Sequence, residues 1–169
     1  MASASSKPFR ISTAKRIDLD RAGWQAMLAA ANINPRTGLA TDYLNHFNEA
    51  IMLLEMIPDM PECAADFLDW QPRTYPEHFT ASNFKARDLA IEAYEQAEPD
   101  IRTQFDKLTD DMTTILTAVA SAMKGVRQDK TRAILAIQAT NWIKPLVTLA
   151  GGVINGERGE TDVDYIMNH

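Results

Sequence analysis

The sequence predicts an all-α protein, folded as a compact up-and-down bundle of five or six helices with flexible termini. Apolar residues recur at spacings of three and four along most of the chain, which is the period of an amphipathic helix. Helix start and stop residues separate these segments. No segment alternates like a strand, and "LVTLAGGVI" is the one ambiguous run. The length of 169 residues is typical of a single domain.

The N-terminal residues 1–17 carry four basic and no acidic side chains, and we expect a flexible basic arm there. The first helix then begins after Asp18 or Asp20, either of which can cap it. Its apolar stripe consists of Trp24, Met27, Leu28 and Ala31. Pro35 and Gly38 in "NINPRTG" end this helix.

The second predicted helix follows Thr41 or Asp42 as its cap and stops at Pro58. Its inward face consists of Tyr43, Phe47, Ala50, Ile51, Leu54 and Ile57. A short third helix begins at Pro61 and extends to Trp70. The next segment, "QPRTYPEHF", is predicted to be a loop, and a fourth helix spans residues 82–97.

The fifth helix begins at Pro99 and has the clearest pattern in the chain. Its predicted seam consists of Ile101, Phe105, Leu108, Met112, Ile115, Val119 and Ala122. Gly125 suits its C-terminal cap. The sixth helix follows Asp129 and is kinked or ended by Pro145. Its apolar side chains are Ile134, Leu135, Ile137, Trp142 and Leu146. These boundaries give a helical bundle domain at 18–150, then a glycine-rich linker and short acidic-amphipathic tail at 151–169.

Composition excludes several classes of protein. A single cysteine, Cys63, cannot form an intrachain disulfide, so a secreted disulfide scaffold is excluded and a cytoplasmic location is expected. A net charge of −6 argues against nucleic acid as the main partner. No apolar run is long enough to span a bilayer, so no membrane partner is expected.

The charges are also unevenly distributed along the sequence. Residues 37–72 contain no Lys or Arg. The acids in that window are Asp42, Glu49, Glu55, Asp59, Glu62, Asp66 and Asp69. We therefore expect an acidic face that binds a basic surface, either on another protein or on a second copy in a homodimer.

His46 is the strongest candidate for a chemical role. It shares one side of the second helix with Glu49, three residues on, and both could contact one metal ion. Glu77 and His78 are the nearest supplementary ligands, which gives a divalent metal site as an alternative prediction. A phospho-accepting histidine is a further alternative, although no cation lies near His46 in sequence. The structural interpretation, which we favour, is that His46 packs at a helix boundary and bonds a backbone carbonyl or Glu49.

No other motif indicates catalysis. Phosphate-binding loops, dinucleotide fingerprints and nucleophile elbows are absent from the sequence. Cys63 has acidic neighbours, which disfavour a thiolate, and no evident base. The expectation is therefore a protein without catalytic residues, which needs no cofactor.

Two segments are candidate binding surfaces. The loop 69–79 is stiff and aromatic, which suits a lid, a recognition surface or a plug at one end of the core. Its candidate binding residues are Trp70, Tyr75, His78 and Phe79. The tail offers Val163, Ile166 and Met167 amid acids, a pattern suited to docking on a partner.

Asp162, Val163, Asp164, Ile166 and Met167 resemble the short acidic-amphipathic tails with which some chemotaxis and flagellar-switch proteins bind response regulators. That likeness implies a response-regulator-like partner. "YLNHFNEAIMLLEM" together with "WQPRTYPEHF" is similar to a group of helical proteins of alphaproteobacteria without an assigned function, and implies a bacterial cytoplasmic setting.

The sequence as a whole predicts a non-catalytic interaction or regulatory protein that binds another protein through its acidic face and C-terminal tail. The alternative is a helical bundle that binds a metal or small ligand through His46, Glu49, Glu77 and His78. An oxidoreductase is one form of that alternative.

Overall fold

The computed structural model describes the backbone of residues 13–157 and the side chains of residues 20–157. This part of the chain is all-α, with seven α-helices, one 3-10 turn and no strand. The prediction of five or six helices was therefore too low. The predicted tail residues Val163, Ile166 and Met167 lie outside the described range.

The helices are numbered here in chain order. They are α1 (Thr13–Ala30), α2 (Leu44–Met56), α3 (Cys63–Asp69), α4 (Tyr75–Ala81), α5 (Arg87–Gln96), α6 (Pro99–Lys124) and α7 (Asp129–Ile154). The 3-10 turn, Thr41–Tyr43, leads directly into α2. The two longest helices, α6 and α7, have only residues 125–128 between them, so α7 folds back along α6. Helix α7 also packs against α2, and α3 packs against both α2 and α6.

The core forms where the amphipathic faces meet. All six residues of the predicted inward face of α2 are buried. On α6, Phe105, Met112 and Val119 are buried as predicted, and Leu116 and Met123 join them. Ala122 is exposed, because the straight helix drifts from a seven-residue repeat. The α2 and α6 predictions are therefore confirmed in their central residues.

Helices α1 and α7 end in the same hydrogen-bond pattern, the Schellman motif. At the end of α1, Asn32 adopts a positive φ of 64°, and the N–H of Ile33 donates to the carbonyl of Leu28. At the end of α7, Gly156 has a φ of 92°. The N–H of Glu157 donates there to the carbonyl of Gly152 at 2.8 Å. Both helices thus satisfy their last carbonyls and reverse the chain sharply.

Several boundaries differ from those predicted. Helix α1 begins at Thr13, inside the predicted arm, rather than after Asp18. The segment predicted to be a loop contains α4, because Thr74 and Glu77 form a capping box at its start. The fourth predicted helix begins at Arg87 rather than at residue 82.

Helix α7 also extends further than predicted. It continues through Pro145 and two glycines to Ile154. Pro145 has no backbone N–H, so the carbonyl of Asn141 lacks its usual helical donor. Both residues are exposed, so water can donate to that carbonyl instead. The structured part of the chain therefore extends past residue 150.

Two Gly→Ala substitutions are expected to have opposite effects. Gly23→Ala, in the exposed middle of α1 with no atom within 4 Å of the new Cβ, should raise the free energy of unfolding by about 0.5–1 kcal/mol. Gly156→Ala should lower the free energy of unfolding by about 1 kcal/mol, because the left-handed backbone strains any Cβ. Urea denaturation of the two variants measures both. A stabilised Gly156→Ala would contradict the cap geometry.

Candidate functional site

His46 is buried, at 5% exposure, between α2 and the segment before α4. Its Nε2 accepts the backbone N–H of Arg73 at 2.9 Å, so the ring proton of the neutral form is on Nδ1. Its ring stacks on Trp70, with the ring centroids 4.5 Å apart. The indole N–H of Trp70 in turn donates to the His46 carbonyl. His46 therefore fixes the path of residues 70–73 over α2.

The surroundings of His46 disfavour its charged form. Burial, then the nearby His78 and Arg73, lower the pKa of His46 from 6.5 to about 4. The ring is thus neutral at pH 7, as its acceptor role requires. The expectation of a structural histidine fits this geometry, although its backbone partner is an N–H and not a carbonyl. A buried ring with Nε2 already bonded is poorly placed to accept a phosphoryl group.

The other three predicted metal ligands have separate roles. His78 Nε2 lies 2.9 Å from an oxygen of Asp42. Glu77 accepts the backbone N–H of Thr74 as part of the capping box. Glu49 is exposed on α2. These positions do not converge on one point.

The metal hypothesis therefore lacks a ligand set in the described range. The His46 and His78 rings do approach, with centroids 6.2 Å apart. Nε2 of each ring already has a partner, which removes one coordinating lone pair from each. Among residues 20–157, no three His, Cys, Asp or Glu side chains form a group that could hold a metal ion.

Two aromatic side chains of the segment 69–79 pack into the core, which corresponds to the plug among the three roles predicted for it. Tyr75 and Phe79 are buried at 2% and 0%, because α4 is a helix that turns both inward. Tyr75 packs against Tyr43 and Phe105 at centroid distances of 5.1 and 5.8 Å. Trp70 and His78 are partly buried beside them. The interpretation of these residues as partner-binding was thus wrong for Tyr75 and Phe79, which have no free surface.

A cleft of about 360 Å³ lies beside this plug, between α4 and α6. The Tyr94 hydroxyl donates to Asp106 at 2.7 Å, and the Arg102 guanidinium lies over the Tyr94 ring. Burial and the Asp106 carboxylate raise the pKa of Tyr94 to about 12, so the phenol stays protonated. The cleft therefore offers satisfied polar groups and no activated nucleophile.

The outer side of α7 is apolar and exposed. Four large side chains there, the α7 outer stripe, are exposed by 49, 50, 56 and 42%: Ile134, Ile137, Trp142 and Leu149. Their spacings of three, eight and fifteen residues from the first place them along one side of the helix. Three of the apolar side chains named for the sixth predicted helix, Ile134, Ile137 and Trp142, therefore lie on its outer side. Small residues, Ala136, Ala139 and Ala150 among them, are buried in their place.

The sequence did contain a signal for this stripe. Between residues 133 and 155 the sole charged residue is Lys144. A helix without a polar face usually has neighbours on every side. Small residues allow α7 to pack closely on its inner side, which leaves the larger side chains outside.

The acidic face lies next to α7. Six of its seven acids are exposed, on α2, α3 and the segment between them, and Asp42 is partly buried against His78. Glu55 joins this face to α7, because its carboxylate lies 2.7 Å from Lys144 Nζ. Met52, between Glu49 and Glu55 on α2, is 55% exposed. The acidic face thus meets α7 at Glu55.

One of the four basic residues around the turn between α6 and α7 stabilises that turn. The Arg132 guanidinium donates to the carbonyls of Met123 and Val126 at the end of α6. Lys124, Arg127 and Lys130 are exposed around it. Within the described range, no helix is both long and apolar enough to cross a membrane.

Comparison with known proteins adds no further evidence on function. No family model, curated protein or solved structure matches this chain.

Proposed function

We propose that this chain is a non-catalytic interaction or regulatory protein, which binds another protein through the α7 outer stripe and the acidic face beside it. The observation that carries the proposal is the half-exposure of four large apolar side chains on one helix. Exposed apolar side chains concentrated on one side of a helix are typical of interaction sites. Tryptophan is also among the residues that most often dominate binding energy at interfaces.

The charges around the stripe indicate the chemistry of the partner. Glu55, one acid of the exposed acidic face on α2 and α3, pairs with Lys144 on α7. A partner with an apolar face edged by Lys or Arg would complement both features. The predicted acidic face thus keeps its role in the proposal, and the apolar stripe supplies the affinity.

Photo-crosslinking tests the proposal in the cells from which the chain comes. A photoreactive phenylalanine analogue at position 142 should give a discrete heavier product with one other protein. The same analogue at Met27, which is 54% exposed on α1, is the matched control and should not. The product is identified by mass spectrometry, and that protein is then purified.

The purified partner allows a quantitative prediction. Ile137→Gln and Trp142→Gln should each weaken binding about tenfold or more, since central apolar contacts dominate affinity. Both variants should keep the free energy of unfolding within about 0.5 kcal/mol, because the replaced side chains are exposed. Met27→Gln, the control, should change neither the affinity for the partner nor the free energy of unfolding. Titration calorimetry and urea denaturation measure the two quantities, and unchanged affinity in both stripe variants would refute the proposal.

The tail is included in the proposal through its sequence pattern. Truncation after Gly159 tests its contribution in the same binding assay. Unchanged affinity would remove the tail from the interaction. A response-regulator-like protein is one candidate partner, on the likeness of Asp162–Met167 to known tails.

Four finer predictions belong to the same proposal. The helices are proposed to form an up-and-down bundle, which is supported by the contacts of α7 with α6 and α2. A cytoplasmic location is supported by the single free Cys63. A homodimer through the stripe is compatible with its apolar character. The likeness to alphaproteobacterial helical proteins supports a bacterial source and assigns no residue a role.

The metal-binding alternative has a direct test of its own. Elemental analysis of protein purified without an affinity tag would detect a stoichiometric ion. A stoichiometric metal that is lost in His46→Ala would favour this alternative, and with it an oxidoreductase.

A further inference from the structure

We propose that a second copy of this chain covers the α7 outer stripe when no other protein is bound, with the two α7 helices antiparallel about a two-fold axis beside Trp142. The inference rests on the proposed function, because it names an occupant of the same surface. The dimer and the complex with another protein exclude each other, since both bury the stripe. Dimerisation therefore regulates access to it.

The stripe has nearly the same spacing in both directions from Trp142. Ile134 lies eight residues before Trp142, and Leu149 lies seven residues after it. These separations are about 12 and about 10 Å along the helix axis. When two copies of α7 lie antiparallel with their tryptophans adjacent, Ile134 of each copy therefore comes opposite Leu149 of the other. A two-fold dimer requires a self-complementary surface of this kind.

The two ends of the outer side of α7 carry opposite charges. Lys130 is exposed and precedes Ile134 by four residues, which places both on the same side of the helix. At the other end, the Glu157 carboxylate lies over Gly152, where an added Cβ would be 2.7 Å from its nearest oxygen. Gly152 follows Ile134 by eighteen residues, or about five turns, so it faces the same way. A cation and a carboxylate are thus at opposite ends of the apolar stripe.

These two charges determine the orientation of the second copy. Lys130 lies twelve residues before Trp142, and the Glu157 carboxylate lies at the level of residue 152, ten residues after Trp142. The antiparallel arrangement therefore brings Lys130 of each copy opposite Glu157 of the other. A parallel arrangement would bring like charges together. Neither side chain has a hydrogen bond or an ion pair with another residue of the described range, so both are available.

The surface between these charges suits a contact between copies. The exposed residues along its middle, Asn141, Pro145 and Thr148, are uncharged. Lys144 lies at one edge of this surface and is already paired with Glu55 of its own chain. The second copy covers about half of each of four large side chains, so the interface is at the small end of specific interfaces. We therefore expect a weak, reversible dimer, which another protein can displace.

Sedimentation velocity of the purified full-length chain tests the dimer with no other protein present. Between about 5 and about 500 µM chain, the weight-average mass should rise from that of one copy toward that of two, as a micromolar Kd requires. Trp142→Gln should raise the Kd of the dimer about tenfold or more, because each dimer loses both central aromatic side chains.

Exchange of the end charges tests the antiparallel arrangement. Lys130→Glu and Glu157→Lys should each raise the Kd of the dimer about fivefold or more, because each creates two like-charged contacts per dimer. An equimolar mixture of these two variants should form a heterodimer with about the original Kd, because opposite charges then meet again at both ends. Lys85→Glu makes the same charge change in the exposed segment between α4 and α5 and should leave the Kd unchanged.

The mass of a single copy at every concentration would overturn the proposal. So would a dimer that Trp142→Gln does not weaken, since the contact would then lie elsewhere. A dimer that is insensitive to both charge variants would refute the antiparallel arrangement. None of these results bears on the capture of another protein in cells, where two crosslinked copies of this chain are identified by mass spectrometry as a separate product. The dimer can also be measured when no other protein is captured, so the two proposals fail separately.

Discussion

Replacing Met112 by alanine should lower the free energy of unfolding by about 2–5 kcal/mol. Met112 is completely buried, in the middle of α6 where that helix meets the rest of the core. Truncation removes its contacts and leaves a cavity that the rigid helices on either side cannot fill by relaxing. This is the largest effect expected from a single substitution that we describe.

Met52→Ala is the matched control for this loss. It makes the same chemical change in the interior of a helix, but the Met52 side chain is 55% exposed. Its effect should stay within about 0.5 kcal/mol. Urea denaturation monitored by circular dichroism measures both variants. Equal losses of unfolding free energy at the two positions would mean that the Met112 side chain is not part of the core.

The second large effect is a dependence of stability on pH through His46. Its pKa is lowered from 6.5 in the unfolded chain to about 4 in the fold, so the unfolded state binds more protons between these values. The stability contributed by neutral His46 is complete above pH 6.5 and is lost as the pH falls toward 4. Between about pH 7 and pH 4.5 the loss is about 2–3 kcal/mol.

His46→Gln isolates this contribution from other titrating groups. Glutamine can still accept the Arg73 N–H but does not titrate, so the variant should lack this part of the acid sensitivity. We expect the difference in unfolding free energy between the two proteins to change by about 2–3 kcal/mol over that pH range. A constant difference, or an NMR titration of His46 near pH 6.5, would show that the ring is not held neutral by burial.

The spacing of apolar residues was sufficient to predict the helices in which that spacing is regular. Phe105, Met112 and Val119 were predicted to be buried from their spacing alone, and α6 begins at Pro99 as its start signal indicated. Such a helix has one apolar side, and only one orientation hides it from water. Helix α4 was missed although its signal was present. Thr74 and Glu77 have the spacing of a capping box, and the two prolines of that segment obscured it.

The candidate sites depended on neighbours that are distant in sequence. No local pattern shows that His46 accepts the N–H of Arg73, 27 residues later. That contact forms only after residues 70–73 pass over α2. The other proposed metal ligands have separate surroundings. His78 lies against Asp42, 36 residues earlier, Glu77 caps α4, and Glu49 is exposed.

The helical class, the central core residues of α2 and α6, the run of acids at residues 37–72 and the absence of common catalytic motifs could all be read from the sequence. These properties follow from short-range spacing and from composition. Which side of α7 faces water could not be predicted in this way, because that helix is apolar around its whole circumference, and packing against its neighbours sets its orientation. The small residues Ala136, Ala139 and Ala150 pack most closely against its neighbours, so Trp142 and the isoleucines remain outside.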